Sequence, residues 1–122
     1  MSRSVLTEDR IHPAIRDRIA DRHVDIVREV EAAVGANDVV IVGMKGNPHP
    51  RRAHRALAKR GIPHRYLEYG SYVSQWRRRN ALKMWTGWPT FPMIFVKGVL
   101  IGGASDLERL IASGELSRML SR

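Results

Sequence analysis

Apolar residues at nearly helical spacing mark the first third of the chain. From Pro13 onward they recur between charged positions, at Ile15, Ile19, Ile26, Val30 and Val34. This period predicts an amphipathic helix over residues 13–35, either continuous or broken near His23, with Gly35 as its C-terminal cap. The polar residues 1–12 in front of it are expected to form a flexible N-terminus.

A strand and a second helix are predicted next. Residues 39–42 are a β-branched run, which is typical of a strand buried on both faces. Asn47-Pro48 is a helix-start signal, because asparagine caps orphan amides and proline suits the first helical position. The helix is predicted to end before Gly61. Its inward positions are Ala53, Ala56 and Leu57.

The middle of the chain continues with a second strand and a third helix. Residues 64–69 alternate well enough between apolar and polar positions for a strand. After a Gly-Ser turn, a helix is predicted over residues 73–85, and Trp76 and Leu82 are its candidate core residues.

A β-hairpin is predicted after the third helix. Residues 93–96 and a second apolar run flank the pair Lys97-Gly98, which is a turn signal. Just before the hairpin, Pro92 closes a Thr-x-Pro segment. A cis peptide bond is expected there, with the amide and carbonyl of Phe91 available to pair with a ligand backbone.

Helices are predicted at the end of the chain. Ser105 and Glu108 have the spacing of a capping box. The inward positions behind it are Leu107, Leu110 and Ile111, and a last turn carries Leu116, Met119 and Leu120. The order helix, β, α, β, α, β, β, α predicts a mixed four-stranded sheet covered by helices. This is an α/β arrangement of the thioredoxin-like type, with an extra N-terminal helix.

The composition indicates one soluble domain without thiol chemistry. The chain has 122 residues, 43% of them hydrophobic, and no cysteine, which excludes disulfides, thiolate metal sites and thiol catalysis by this chain. Its five histidines lack metal-ligand spacing with acidic residues, so no metal is expected. The apolar runs are shorter than a membrane span and the start lacks an apolar signal region, so we expect a cytoplasmic protein without membrane contact.

Charge is unevenly distributed along the chain. Residues 1–38 carry six basic and eight acidic groups, a net of −2, whereas residues 39–122 carry fifteen and four, a net of +11. This balance favours anionic partners such as nucleic acid, an acidic protein face or a small anion. Basic groups concentrate in the run 76–79, which is followed by Lys83 and Trp85. A second concentration is the stripe of Arg51, Arg52, Arg55, Lys59 and Arg60.

The stretch Trp-Pro-Thr-Phe-Pro at 88–92, the hairpin and the Gly-Gly pair before a helix resemble the C-terminal half of a glutaredoxin. The resemblance extends over residues 38–120, the core of a glutaredoxin-like domain at 13–122. The Trp-Pro pair resembles the single-cysteine, iron–sulfur-associated branch. The chain departs from the family in having no cysteine. The resemblance implies that the two positions of the family's active-site cysteines fall near Asn47 and Pro50, in a register that is open by one residue.

The resemblance also implies a glutathione site. The implied binding residues are Lys45, Asn47, Arg79, Thr90, Phe91, Pro92, Gly103, Ala104 and Ser105. Lys45 and Arg79 would meet the glycine carboxylate, and Phe91 would pair with the cysteinyl backbone. The amides of residues 103–105 would receive the γ-glutamyl carboxylate at a helix N-terminus, and Ser105-Asp106 partly matches the family's partner for the ammonium group.

Three functions from different classes remain open at this point. The first is a redox-inactive glutaredoxin homologue whose groove binds glutathione, an extended peptide or an unidentified protein partner. The alternative is a basic module for nucleic acid or an acidic protein. A glutaredoxin-type oxidoreductase or an iron–sulfur accessory protein is opposed by the missing thiol. Each residue also has a structural interpretation: Asn47 as a helix cap, and Lys45 and Arg79 as surface charges.

Overall fold

The computed structural model describes residues 3–71 and 74–122, which form one sheet with helices on both faces. The helices are α1 (Pro13–Asp21), α2 (Val24–Ala36), α3 (Pro48–Lys59), α4 (Trp76–Thr86), α5 (Ala104–Ala112) and α6 (Glu115–Leu120). The strands are β1 (Val39–Gly43), β2 (Arg65–Glu68), β3 (Met93–Val96) and β4 (Val99–Gly102). A 3₁₀ turn at Glu8–Arg10 precedes α1.

The sheet is mixed, with the strand order β2-β1-β3-β4. β1 and β2 are parallel and are joined through α3, as a parallel pair requires a crossover connection. β3 is antiparallel to β1, with Ile94 opposite Ile41, and β4 returns antiparallel to β3. This confirms the predicted four-stranded mixed sheet of the thioredoxin-like type.

Successive strand residues point to opposite faces of the sheet and pack into two hydrophobic cores, one on each face. On one face α2 and α4 contribute Ile26, Val30 and Leu82, which pack with Val40, Val42, Leu67, Met93 and Phe95. On the other face α3, α5 and α6 contribute Ala53, Leu57, Ala104, Leu107 and Leu116, which pack with Val39, Ile41, Ile94 and Val96. All four β1 positions predicted as a strand are fully buried, as a strand covered on both faces requires.

The N-terminal helical region is broken at His23, one of the two alternatives. His23 adopts a left-handed conformation at φ 50° between α1 and α2. Ile15 and Ile19 on α1 remain 37% and 46% exposed, so only the α2 part of the apolar stripe enters the core. The predicted cap at Gly35 is wrong: α2 ends one residue later, and the Asn37 amide donates to the carbonyl of Ala33.

The turn chemistry of the hairpin is as predicted. Lys97 and Gly98 have φ angles of 50° and 81°, so both central residues are left-handed, the turn that suits the twist of a two-residue hairpin. The glycine accommodates this conformation because it has no Cβ. Lys97 also lies 3.4 Å from the carboxylate of Asp38.

One predicted detail of the third predicted helix is corrected. Trp76 is 51% exposed at the start of α4 and does not enter the core, whereas Leu82 is fully buried. The predicted first residue of this helix, Val73, lies outside the described residues.

None of the helices within 3–71 and 74–122 combines the length and hydropathy needed to cross a bilayer.

The N-terminus of α5 is capped by other residues than predicted. The amide of Gly103 donates to Asp106 Oδ2 over 2.8 Å, and the helix begins at Ala104. The box predicted at Ser105 and Glu108 is therefore wrong. The helix starts two residues earlier because Gly102, at φ 110°, turns the chain directly from β4 into α5.

Candidate functional site

A groove of about 470 Å³ opens where the N-terminal ends of α3 and α5 meet the segment that precedes β3. Seven of the nine predicted binding residues line it: Asn47, Thr90, Phe91, Pro92, Gly103, Ala104 and Ser105. These residues come from three separate parts of the chain. The sheet topology brings them together because α3 follows β1 while the 90–92 segment enters the neighbouring β3.

Asn47 joins two walls of the groove. Its Oδ1 accepts a hydrogen bond from the His49 amide over 2.9 Å, which caps α3 as the sequence predicts. Its Nδ2 donates to the carbonyl of Phe91 over 3.1 Å. The Phe91–Pro92 peptide bond is cis, as expected. The sequence predicts that the carbonyl and the amide of Phe91 are both available to a ligand. The carbonyl already accepts this one hydrogen bond, whereas the Phe91 amide has no acceptor in the described part of the chain.

The start of α5 supplies donors for an anion. The amides of Ala104 and Ser105 lie in the first helical turn, where no intrahelical acceptor exists. The Asp106 carboxylate accepts a hydrogen bond from the amide of Gly103 and another from Arg109. These two hydrogen bonds lower the pKa of Asp106, and the one from Gly103 has the larger effect. Asp106 is therefore a carboxylate near neutral pH, at the groove end where the resemblance requires a partner for an ammonium group.

Two cations that the binding prediction did not include lie at the groove. The Arg52 guanidinium is 2.8 Å from Ser105 Oγ, 3.0 Å from His49 Nδ1 and 2.8 Å from the carboxylate of Glu108. The ammonium of Lys83 lies 5.7 Å from the centre of the Phe91 ring. Sequence spacing gives no signal for Arg52, which is 53 residues from Ser105. The sequence does give a signal for Lys83 as a groove residue, because Lys83 follows the predicted binding residue Arg79 by one helical turn.

Lys45 and Arg79 do not line this groove. Lys45 is exposed in the loop before α3, and its backbone amide donates to the carbonyl of Gly70 over 2.7 Å. Arg79 is 6% exposed, and its Nη1 donates to the carbonyls of Tyr69 and Ser74. The contact of either residue with a ligand carboxylate remains a prediction.

Trp88 adds an unusual donor to the groove wall. Its backbone amide donates to Thr86 Oγ1 over 3.1 Å. Its indole N–H is buried without an acceptor among the residues that the structure describes. A buried polar group without a partner is costly, so a donor of this kind favours a ligand or water that supplies an acceptor.

The basic run on α4 is mostly engaged within the fold. Arg78 donates to Asp25 of α2 over 2.9 Å, and Arg79 is buried as described. Trp85 stacks on Phe95 with ring centres 6.0 Å apart. Trp76 and Arg77 are the residues of this run that face solvent. The Arg77 guanidinium lies 5.1 Å from the centre of the Trp76 ring.

Asn47 and Pro50, the residues that the resemblance implies near the family's cysteine positions, offer no side chain that binds a metal. Asn47 acts as a cap, and Pro50 is buried so tightly that a Cβ on Gly43 would lie 2.8 Å from its ring. Within the described ranges no group of three or more histidine, aspartate or glutamate side chains could hold a metal ion. An iron–sulfur cluster requires thiolate ligands, so the residues at this site do not fit one.

Comparison with known proteins defines the family. The sequence profile described as Glutaredoxin matches residues 39–101. A relative from Dictyostelium discoideum, described as "Glutaredoxin-like protein", is 43% identical over 108 residues, which are 88% of each chain. The chain therefore belongs to the glutaredoxin family. More particularly, with no cysteine among its 122 residues it is a glutaredoxin-like protein that lacks the family's thiols.

Further relatives and structures agree with this assignment. The mitochondrial monothiol glutaredoxin-S15 of Arabidopsis thaliana is 36% identical over 94 residues, 75% of this chain and 55% of that protein. A buckwheat glutaredoxin, described as a glutathione complex, superposes with a TM-score of 0.70 at 20% identity, covering 83% of this chain and 92% of the other. At that identity the likeness establishes the shared fold.

Proposed function

We propose that this protein is a redox-inactive glutaredoxin homologue whose groove binds glutathione, or an extended peptide segment of a protein partner. The single observation that carries the proposal is the Asn47 carboxamide, which donates to the Phe91 carbonyl inside a groove that still offers ligand donors. In the register that we propose, Asn47 stands where the family has its nucleophile and instead holds two walls of the groove together, and the surrounding groups still recognise a tripeptide.

The loss of redox activity follows from the chemistry of the side chain. Thiol–disulfide exchange begins with a thiolate that attacks a disulfide sulfur. A carboxamide cannot make this attack, and the chain has no other thiol. We therefore expect no reduction of glutathione mixed disulfides by the protein alone.

The remaining groups suit an extended ligand that carries a carboxylate. The first-turn amides of Ala104 and Ser105 favour a carboxylate because they have no partner in the helix and lie at its positive end. The unpaired Phe91 amide favours a backbone carbonyl of the ligand. Lys83 adds positive charge beside Phe91, and the Arg52 guanidinium, which is paired with Glu108, donates to Ser105 Oγ. A γ-glutamyl tripeptide meets all three requirements.

Isothermal titration calorimetry with three ligands tests this proposal. Glutathione and S-methylglutathione are expected to bind with equal affinity, because no step uses the ligand's thiol. The dipeptide Cys-Gly is expected to bind more weakly, because it lacks the carboxylate for the α5 amides. Equal binding of Cys-Gly would contradict the assigned orientation, and no saturable binding of glutathione would overturn the proposal.

A pair of lysine variants tests the far end of the ligand. Lys45→Ala is expected to weaken glutathione binding about three- to tenfold, because one exposed charge contact with the glycine carboxylate contributes about 1 kcal/mol. Lys59→Ala also removes an exposed charge, at the other end of α3, and is the matched control. An unchanged affinity in Lys45→Ala would remove Lys45 from the site.

A further inference from the structure

The outer face of α3 carries a row of three cations at successive helical turns. Arg51, Arg55 and Lys59 are all exposed, and none forms an ion pair with a described residue. Residues four apart lie on the same side of a helix with a rise of about 6 Å, so the row extends over about 12 Å. We call these three residues the α3 ridge.

One further cation and one acidic residue lie beside the ridge. Arg60 follows as an exposed residue at the end of α3. The carboxylate of Glu68 on the edge strand β2 accepts a hydrogen bond from the Tyr66 hydroxyl over 3.3 Å. Arg52, on another side of the same helix, differs from the ridge because Glu108 neutralises it. The ridge is thus a separate surface from the groove.

The chemistry of the ridge fits phosphates better than an acidic protein. Protein interfaces depend on buried aromatic or aliphatic anchors, and none of the large exposed hydrophobic residues among those described lies on α3. The one beside it is Tyr66, 37% exposed, whose hydroxyl donates to the carboxylate of Glu68. Bare cations in a row next to an aromatic ring are typical of contact with a nucleic-acid backbone.

We propose that the α3 ridge binds the phosphate backbone of nucleic acid, independently of the groove. The expected recognition is electrostatic and largely independent of base sequence, because the ridge presents charge without a patterned set of donors and acceptors for base edges. The net charge of +9 at neutral pH adds attraction over longer range.

Fluorescence anisotropy with labelled oligonucleotides tests the proposal. The full chain is titrated with duplex DNA, duplex RNA and single-stranded RNA over a series of KCl concentrations. The triple variant Arg51→Gln/Arg55→Gln/Lys59→Gln is expected to bind the preferred nucleic acid at least about tenfold more weakly. Its slope of log affinity against log salt should fall by about 2.7 for a duplex or about 2.1 for a single strand, since each phosphate contact contributes about 0.9 or 0.7.

A second triple variant controls for net charge. Arg10→Gln/Arg18→Gln/Arg22→Gln also removes three exposed cations, but from the N-terminal region, and is expected to retain most of the affinity and the slope. Binding to DNA or to RNA supports the proposal and identifies the source of the phosphates. Equal losses in both triple variants, competition by polyglutamate as strong as by the oligonucleotide, or no binding by the wild type would overturn it.

Discussion

Substitution of Asn47 separates its two hydrogen bonds and tests whether this residue has become a structural tether. Asn47→Ala removes both the acceptor for the His49 amide at 2.9 Å and the donor to the Phe91 carbonyl at 3.1 Å. Asn47→Ser keeps a hydroxyl that can cap α3, but its side chain is too short to reach Phe91. The two variants therefore differ by one hydrogen bond.

The expected losses follow from the two contacts. Removal of an N-cap costs about 1 kcal/mol, and removal of the partly buried bond to Phe91 costs about another 1 kcal/mol. The free energy of unfolding should fall by about 2 kcal/mol in Asn47→Ala and by about 1 kcal/mol in Asn47→Ser. For a chain of this size the corresponding decreases in Tm are about 8 °C and about 4 °C.

Urea unfolding measures these differences, provided that the denaturant slope stays unchanged. Asn80→Ala, at an exposed position on α4, is the matched control and should change stability by less than about 0.5 kcal/mol. If Asn47→Ser were as unstable as Asn47→Ala, the cap would not be made by this side chain. A loss below about 0.5 kcal/mol in Asn47→Ala would refute both assigned roles.

Three further substitutions address the site and its supports. Asn47→Cys should form a mixed disulfide with glutathione disulfide, releasing one glutathione, faster than a Ser113→Cys control as followed by mass spectrometry, because the α3 N-terminus stabilises the thiolate. Asp106→Ala should lower the free energy of unfolding by about 1 kcal/mol at neutral pH. The backbone hydrogen bond from Gly103 lowers the pKa of Asp106 in the folded protein, so this difference should be present at neutral pH and disappear as the pH falls through that lowered pKa in pH-dependent denaturation. Tyr69→Phe should cost about 1 kcal/mol in thermal unfolding, since it removes the 2.8 Å bond to Glu29.

Features set by neighbouring residues were predictable from the sequence. The Asn47 cap and the Lys97-Gly98 turn each depend on side-chain or backbone preferences within a few positions, and the structure has both. The paired strands followed from β-branched runs and from the crossover rule. The exposed position of Trp76 was missed because a bulky aromatic in a helical period resembles a core residue whether or not a neighbour covers it.

Contacts between distant parts of the chain were not predictable in the same way. The role of Arg52 in the groove depends on Ser105 and Glu108, which only the packing of α3 against α5 brings near. The burial of Arg79 likewise depends on carbonyls in the loop before α4. The start of α5 was placed two residues late because Ser105 and Glu108 match a capping box by type, although the helix begins at Ala104 and Asp106 accepts from the amide of Gly103.

An amide NMR titration with reduced glutathione at near-physiological salt tests the central claim most directly. We expect saturable shifts confined to Lys45, Asn47, Phe91 and residues 103–105, with an identical pattern for S-methylglutathione. Shifts spread over the basic face of α3 would reflect general attraction of an anion. Either that pattern, or a spectrum unchanged at saturating ligand, would contradict a retained glutathione groove.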